Sequence, residues 1–293
     1  MTRRTRVGPT LSGRMVDTGP LIGSVEPPEL HVMTFNVRRR MTHPLRAVDR
    51  WSDRRSAVRE LIATERPTLL GSQETLPDQA ELIRDALGPD TRFVGYGRGG
   101  SAGAESNPLY YDSGRLELLE WRQSALSDRP DERGSVSWGN LVPRAVVTAV
   151  FRDRATSAEF VAVNTHLDHL SRRSRLRSAR EIRRATAGRR LPAIVMGDLN
   201  AAAGSPPVRE LLAAGALTDA WAAASDRVSP EWGTFASYRD ARVGARRIDW
   251  ILVTPTISVV TAGINARKIG GRWPSDHLPV QAVVRMPESG GAS

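Results

Sequence analysis

Six apolar runs in this 293-residue chain begin or end in residues able to hold a cation or move a proton. Asn36 closes HVMTFN, Glu74 closes TLLGSQE, His166 closes EFVAVNTH, and Asp198 with Asn200 closes LPAIVMGDLN. Asp249 opens DWILV, and Asp276 with His277 immediately precedes LPVQAVV. In antiparallel neighbours the end of one strand lies beside the start of the next, so all six segments can bring these residues to one rim. That rim would hold four acids, two amides and two histidines.

Carboxylates gathered this closely repel one another, and their pKa values rise unless a cation neutralises them. The chain has no cysteine, which removes thiolate zinc sites, disulfide scaffolds and thiol nucleophiles. The cation must then be held by oxygen or imidazole, and an oxygen-rich donor set favours Mg²⁺ or Mn²⁺. Such a site suits hydrolysis of a phosphate ester. The metal stabilises developing oxyanion charge, a carboxylate orients or deprotonates water, and imidazolium or amide groups contact phosphoryl oxygens.

The elements that must position these residues are legible from periodicity and punctuation. After Leu30, short β-branched runs alternate with helical patterns: a helix over 51–65 with Val58, Leu61 and Ile62 on one face, stopped by Pro67, and a second opened by Thr75 and Asp78 as a capping box and closed by Gly88. The runs RFVGY, PLYYD, RLELLE, RAVVTAVF and EFVAVNTH follow without a helix between them, which favours antiparallel pairing. An arginine-rich helix at 171–190, the run LPAIVMG, a helical stretch at 205–214 and three last strands complete the pattern. It predicts an α/β fold in which two mainly antiparallel sheets pack face to face with helices outside. The catalytic domain is expected over 29–287, behind a disordered basic leader (1–28) and before a disordered tail (288–293). The glycine-serine stretch 97–106 reads as an exposed loop.

In this order, TFNV, QE, NTHLDH, GDLNA, RIDWIL and SDHLPV resemble the endonuclease/exonuclease/phosphatase superfamily, which includes deoxyribonuclease I. The resemblance spans about residues 30–286. It implies a four-layer α/β sandwich of the deoxyribonuclease I-like kind and hydrolysis of phosphodiester bonds. It further implies Glu74 as the principal metal ligand with Asn36 and Asp276 on or beside the metal, Asp198 positioning or deprotonating the attacking water, and Asn200 holding that water or a phosphate oxygen. His277 would contact the scissile phosphate with its tautomer fixed by Asp249. His166 matches a histidine that some branches place near the leaving group, and Glu105 is offered as its partner. Arg38 and Arg144 are offered as clamps on phosphate oxygens.

Each residue has a plainer reading. Asn36 and Asn200 taken singly suit turns that bond their own backbone, and Asp276 suits loop polarity. Asp249 could pair instead with Arg246 or Arg247. His169 reads as a supporting residue because Mg²⁺ prefers oxygen, and Trp138, Trp221, Trp232 and Trp273 read as packing anchors. Gly95, Gly97 and Gly100 match G-x-G-x-x-G, but SAGAESNP cannot open the helix such a motif needs.

The net charge of +10 is concentrated: SRRSRLRSAREIRRATAGRR, residues 171–190, carries nine arginines and one acid, Glu181, a net of +8. That face attracts polyanions or is simply a solvated helix face. With no run long enough for a membrane span and no signal-like apolar segment near the start, a cytoplasmic monomer is the default. The first reading of substrate is nucleic acid or an oligonucleotide, cleaved endo- or exonucleolytically. The second is a small or lipid phosphoester, by a phosphatase-like or sphingomyelinase-like enzyme, and the third a non-catalytic polyanion binder.

Overall fold

The computed structural model describes residues 19–99 and 103–288. In chain order these form β1 (Glu29–Asn36), α1 (Trp51–Glu65), β2 (Leu69–Gln73), α2 (Pro77–Leu87), β3 (Thr91–Val94), β4 (Leu109–Asp112), β5 (Leu116–Ala125), β6 (Ala145–Asp153) and β7 (Glu159–His166). They continue as α3 (Arg172–Ala187), β8 (Ala193–Asp198), α4 (Pro206–Leu212), β9 (Thr218–Asp219), α5 (Ala220–Ala223), β10 (Asp226–Arg227), β11 (Asp249–Val253), β12 (Ser258–Ile264) and β13 (Val280–Arg285).

One sheet runs β10-β12-β13-β1-β2-β4-β3 and the other β5-β6-β7-β8-β11-β9. Most pairings are antiparallel, but the short β10 lies parallel to β12, and β1 lies parallel to β2 and β7 parallel to β8 with α1 and α3 as the crossovers. Leu30, Val32, Leu69, Phe160, Ile194, Met196, Ile251 and Val280 fill the space between the sheets. Met33, Phe35, Leu70 and Ile83 pack the first sheet against α1 and α2, while Val161, Val195, Ile182 and Leu211 pack the second against α3 and α4. The result is helix, sheet, sheet, helix, the expected four layers.

Strand alternation explains why chemistry gathers at one end. In β1 the inward positions are Leu30 and Val32 and then, two and four residues on, Thr34 and Asn36. In β7 they are Phe160 and Ala162, then Asn164 and His166; in β8, Ile194 and Met196, then Asp198. In β11 Asp249 precedes inward Ile251 and Val253. The interior is thus apolar at one end and turns polar at the other, with one face of each strand supplying both.

Beneath the polar end the sheets are tied together. Asn164 Nδ2 donates to the carbonyls of Ser72, Asn107 and Pro108 at 2.9, 3.0 and 2.9 Å, and its Oδ1 accepts from Gln73 Nε2 at 2.8 Å. At Gly197 (φ +145°) a Cβ would lie 2.0 Å from the Thr165 carbonyl oxygen, so only glycine allows β7 and β8 to approach just before Asp198.

Two local expectations change. Residues 19–28, read as part of the leader, are docked: the N–H groups of Leu21, Ile22 and Gly23 donate to the buried Glu65 carboxylate at 2.7, 3.1 and 3.2 Å, with Asn265 Nδ2 adding a fourth donor at 2.8 Å. A buried carboxylate needs such donors, and apolar periodicity cannot reveal them. The rest of the leader, the tail from 289 and residues 100–102 of the loop lie outside the described residues. Helix α2 is capped one residue later than expected: Gln79 Oε1 accepts from Leu76 N, while the Thr75 hydroxyl is taken by Ser72.

Four arginines of α3 meet acids, Arg180 and Arg183 sharing Glu210, Arg184 pairing with Glu181 and Arg177 with Asp128, while Arg175 donates to the Asp168 carbonyl at 2.7 Å; Arg189, just past the helix, pairs with Glu120. No described helix is long and apolar enough to cross a membrane.

Candidate active site

The polar end of the sandwich opens into a cavity of about 570 Å³. Glu74, Asp276, Asp198, Asn200, His166, His277, Arg38, Arg144 and Glu105 all line it. Asn36 lies in its floor, buried, and Nδ2 donates to Glu74 Oε1 and to Asp198 Oδ2, both at 3.1 Å. Asp249 stands behind His277.

Two electrostatic clusters meet at Asn36. In the first, Asp249 Oδ2 accepts from His277 Nδ1 at 2.9 Å, and His277 Nε2 faces Asp198 Oδ2 at 3.8 Å. Burial opposes the charge on His277, but the carboxylates of Asp249 and Asp198 overcome it and raise the imidazole to about 10. Burial and the neighbouring Asp249 charge push Asp198 up to about 7. Asp198, Asp249 and His277 offer ligand atoms within 4.8 Å of one another. We read them as a proton-holding triad, because His277 itself supplies the positive charge and both its carboxylate partners are spent on it. Asp249 therefore faces the histidine, and Arg247 pairs with Asp219 instead.

The second cluster is all oxygen around a guanidinium. Arg38 Nη2 lies 3.1 Å from Asp49 Oδ2, its Nη1 3.7 Å from Glu74 Oε2 and its Nε 3.7 Å from Asp276 Oδ2. Burial, then the nearby Glu74 charge, raises the Asp276 pKa against the opposing pull of His277. Glu74 is held below its ordinary value: burial opposes ionisation, but His277, Arg38, Asn36 and the Arg39 N–H favour it. Glu74 and Arg38 both adopt left-handed backbone (φ +58° and +56°), a strain that points their side chains into the cavity. Asn200 (φ +48°) does the same at lower cost, and donates one amide hydrogen to Leu167 O at 3.0 Å. The carboxylates of Glu74 and Asp276 suit a hard divalent cation, while the Asn36 amide oxygen accepts from Arg38 N at 3.0 Å.

His166 sits on the far side of Asp198, its Nε2 3.5 Å from Asp198 Oδ2. Burial first, then the charges of Arg144 and Arg98, keeps its pKa well below the ordinary value, so the ring is neutral at pH 7. Its Nδ1 has no hydrogen bond among the described residues. The expected partnership with Glu105 is therefore absent. Glu105 is claimed by two guanidiniums instead, Arg98 Nη2 at 2.5 Å and Arg39 Nη1 at 2.9 Å, because a half-closed arginine pair outcompetes a neutral ring for a carboxylate. Arg144 is buried, with Nη2 donating to His169 Nδ1 at 2.8 Å and Nε lying 3.4 Å from Asp168 Oδ2.

Several contributors carry no warning in the sequence. Buried Arg54 donates to the carbonyls of Val37 and Pro274 at 3.0 and 2.8 Å and to that of Arg38 at 3.1 Å, fixing the backbone on both sides of the cavity floor. Tyr238 OH donates to Asp49 Oδ1 at 2.7 Å, and the Phe235 ring packs 4.9 Å from that of His277. Asp168, two residues past His166 in NTHLDH, is the exception: its carboxylate accepts from Leu170 N and Ser171 N at 2.9 and 2.6 Å, and its place as the motif's one acid is the signal that marks it.

The comparisons agree with this architecture. A family model described as the endonuclease/exonuclease/phosphatase family matches residues 33–277. The crystal structure of the endonuclease/exonuclease/phosphatase from Bacteroides vulgatus is 29% identical with a TM-score of 0.81, over 88% of this chain and 99% of that one. The Bacteroides thetaiotaomicron mannosyl-6-phosphatase is 26% identical with a TM-score of 0.79, over 87% and 99%. Zebrafish TDP2 complexed with single-strand DNA product, at 16% identity and a TM-score of 0.66 over 88% and 100%, shares the fold. No curated protein matches in sequence. With most of its length covered by that one family model, and with the fold of these relatives, the chain belongs to the endonuclease/exonuclease/phosphatase family of phosphoester hydrolases.

Proposed function

We propose that this hydrolase acts on a small phosphate ester seated in the cavity and depends on Mg²⁺ or Mn²⁺. The observation that carries the reading is Asn36, whose single amide nitrogen touches both Glu74 of the oxygen cluster and Asp198 of the proton-holding triad. Glu74 would hold the metal with Asn36 and Asp276. Bound there, the metal would supply Lewis-acid stabilisation of charge developing on the phosphoryl oxygens. Asp198 orients or deprotonates the attacking water, and Asn200 steadies it. His277, kept cationic and aimed by Asp249, donates a hydrogen bond to a phosphoryl oxygen. His166, on the other side of Asp198, faces the leaving group.

The small-substrate reading rests on the walls. The cavity is rimmed by the apolar Leu45 and Phe235, both exposed, and no arginine of α3 lines it. Part of the dense charge that suggested nucleic acid is paired with acids on the outer face of the second sheet. Similarity to a mannosyl-6-phosphatase supports the same choice. An oligonucleotide end entering the same cavity is the second reading, favoured by the net charge of +10. The test is a substrate panel with Mg²⁺, Mn²⁺ and EDTA: sugar phosphates, nucleotides, inositol phosphates and sphingomyelin against DNA and RNA. Preference for a polynucleotide over every small ester would overturn the proposal.

A further inference from the structure

Two guanidinium groups on the cavity wall are held in place without being fully used. Arg98 and Arg144, with side chains 9% and 2% exposed, each bury an Nη1 that makes no hydrogen bond among the described residues. Their other nitrogens are anchored: Arg98 by Glu105, Arg144 by Asp168 and His169. The anchors fix both guanidinium planes and leave one N–H edge of each uncommitted. His166 Nδ1, lining the same cavity, is likewise buried and unpartnered.

Buried charged donors left unpaired are costly, and two neighbouring cations also repel. The local acids do not resolve this. Glu105 is shared between Arg98 and Arg39, and Asp168 already receives two backbone N–H groups besides Arg144. Burial lowers the Arg98 pKa; Glu105 restores part of it, and the nearby charge of Arg144 adds to the lowering. An anion bridging the two free edges satisfies both at once, in the bidentate geometry guanidinium groups favour for phosphate.

We infer that Arg98 and Arg144 form a second anion subsite beside His166, which takes a phosphoryl group on the leaving-group side of the ester. The preferred substrate then carries two phosphoryl groups. Arg144 thereby moves from clamping the scissile phosphate to holding its neighbour. The inference rests on the reading of the cavity as the substrate pocket. The second phosphoryl group could belong to a bisphosphorylated small molecule or to the next link of an oligonucleotide.

Calorimetric titration of the full chain with inorganic phosphate in EDTA reads the subsite without hydrolysis. Wild type should bind one phosphate, weakened about 10- to 100-fold in R98Q and in R144Q. R184Q, on the outer helix, should bind as wild type. With Mg²⁺, two substrate pairs separate the sources: a hexose monophosphate against its bisphosphate, and a dinucleoside monophosphate against the same with a terminal phosphate. Wild type should show a KM lower by about 10- to 100-fold for the doubly phosphorylated member of one pair. R98Q and R144Q should erase that preference, the KM for the doubly phosphorylated member rising to that for the single phosphate. Should either glutamine variant fail to fold by its melting curve, R98K and R144K keep the charge and should show a partial loss. Phosphate binding lost in the variants while no ester is hydrolysed would uphold the subsite and refute the enzymatic reading alone. No phosphate binding by wild type, or equal losses on both members of each pair, would overturn the inference.

Discussion

Asn36 and Asp198 end strands in different sheets, yet the Asn36 amide nitrogen donates to Asp198 Oδ2 across 3.1 Å and at the same distance to Glu74. One neutral donor therefore separates two buried carboxylates that would otherwise repel. N36D replaces the donor with a third carboxylate. In EDTA the variant should lose about 2–4 kcal/mol of unfolding free energy relative to wild type. Because a cation relieves the crowding, saturating Mg²⁺ should raise the melting temperature of N36D more than that of wild type. An equal rise in both proteins would place the metal away from Asn36.

His277 depends on Asp249 for both orientation and charge, through the 2.9 Å contact from Nδ1. D249N keeps the shape but removes the charge and favours the wrong tautomer. We expect kcat to fall by about 10²- to 10⁴-fold with little change in KM. Nitrogen NMR of the ring should show that the His277 Nδ1 proton is no longer held.

In the proposed function Glu74 bears most of the metal. EDTA should abolish hydrolysis and added Mg²⁺ or Mn²⁺ restore it. In E74Q the Mg²⁺ concentration for half-maximal rate should rise by at least about tenfold. A titration curve superimposable on that of wild type would remove Glu74 from the metal shell.

Asn164 serves three carbonyls from the opposite sheet and its flank. In N164L those acceptors lose their donor inside the protein. Unfolding by urea should show a loss of about 2–5 kcal/mol.

Asp153 tests the far end of the second sheet, remote in role from the cavity. It accepts from Arg115 Nε and Nη2 at 2.6 and 2.9 Å, from Ala155 N at 2.9 Å and from Thr156 Oγ1 at 2.9 Å. Burial works against ionisation, but these donors hold the carboxyl below its usual 3.8. A carboxyl with a depressed folded-state pKa contributes stability that is present above 3.8 and is lost as pH falls through the lower value. D153N should therefore be less stable than wild type by about 3 kcal/mol near neutrality, with the gap shrinking below pH 3.8. A gap independent of pH would mean that packing, not charge, accounts for it.

Much of the site was legible because strand alternation and short motifs act locally. Asn36, His166, Asp198 and Asp249 fall on the same faces as the apolar residues before or after them, and that period is visible in the letters. The four layers follow from the same runs. What was illegible depends on contacts between distant segments. Arg54 reads as an ordinary arginine on a helix, yet it is sealed by carbonyls from Val37 and Pro274. The docking of residues 19–28 hinges on Glu65, a helix-terminal acid like many others. Glu105 was assigned to the wrong partner because proximity of loops cannot rank arginine against imidazole.

The Asn164 tie also constrains how this molecule can adapt. Displacing one sheet along the other by a single residue, roughly 3.3 Å, would break every bond that Asn164 makes. The halves of the sandwich consequently behave as a riveted vice whose jaws are set at one gape. A larger or differently shaped guest is accommodated by redrawing the lips, the segments around Leu45 and Phe235, with the jaws unmoved. Engineering new selectivity into this scaffold is thus a matter of rewriting loops while the inward faces of β1, β7, β8 and β11 are left alone.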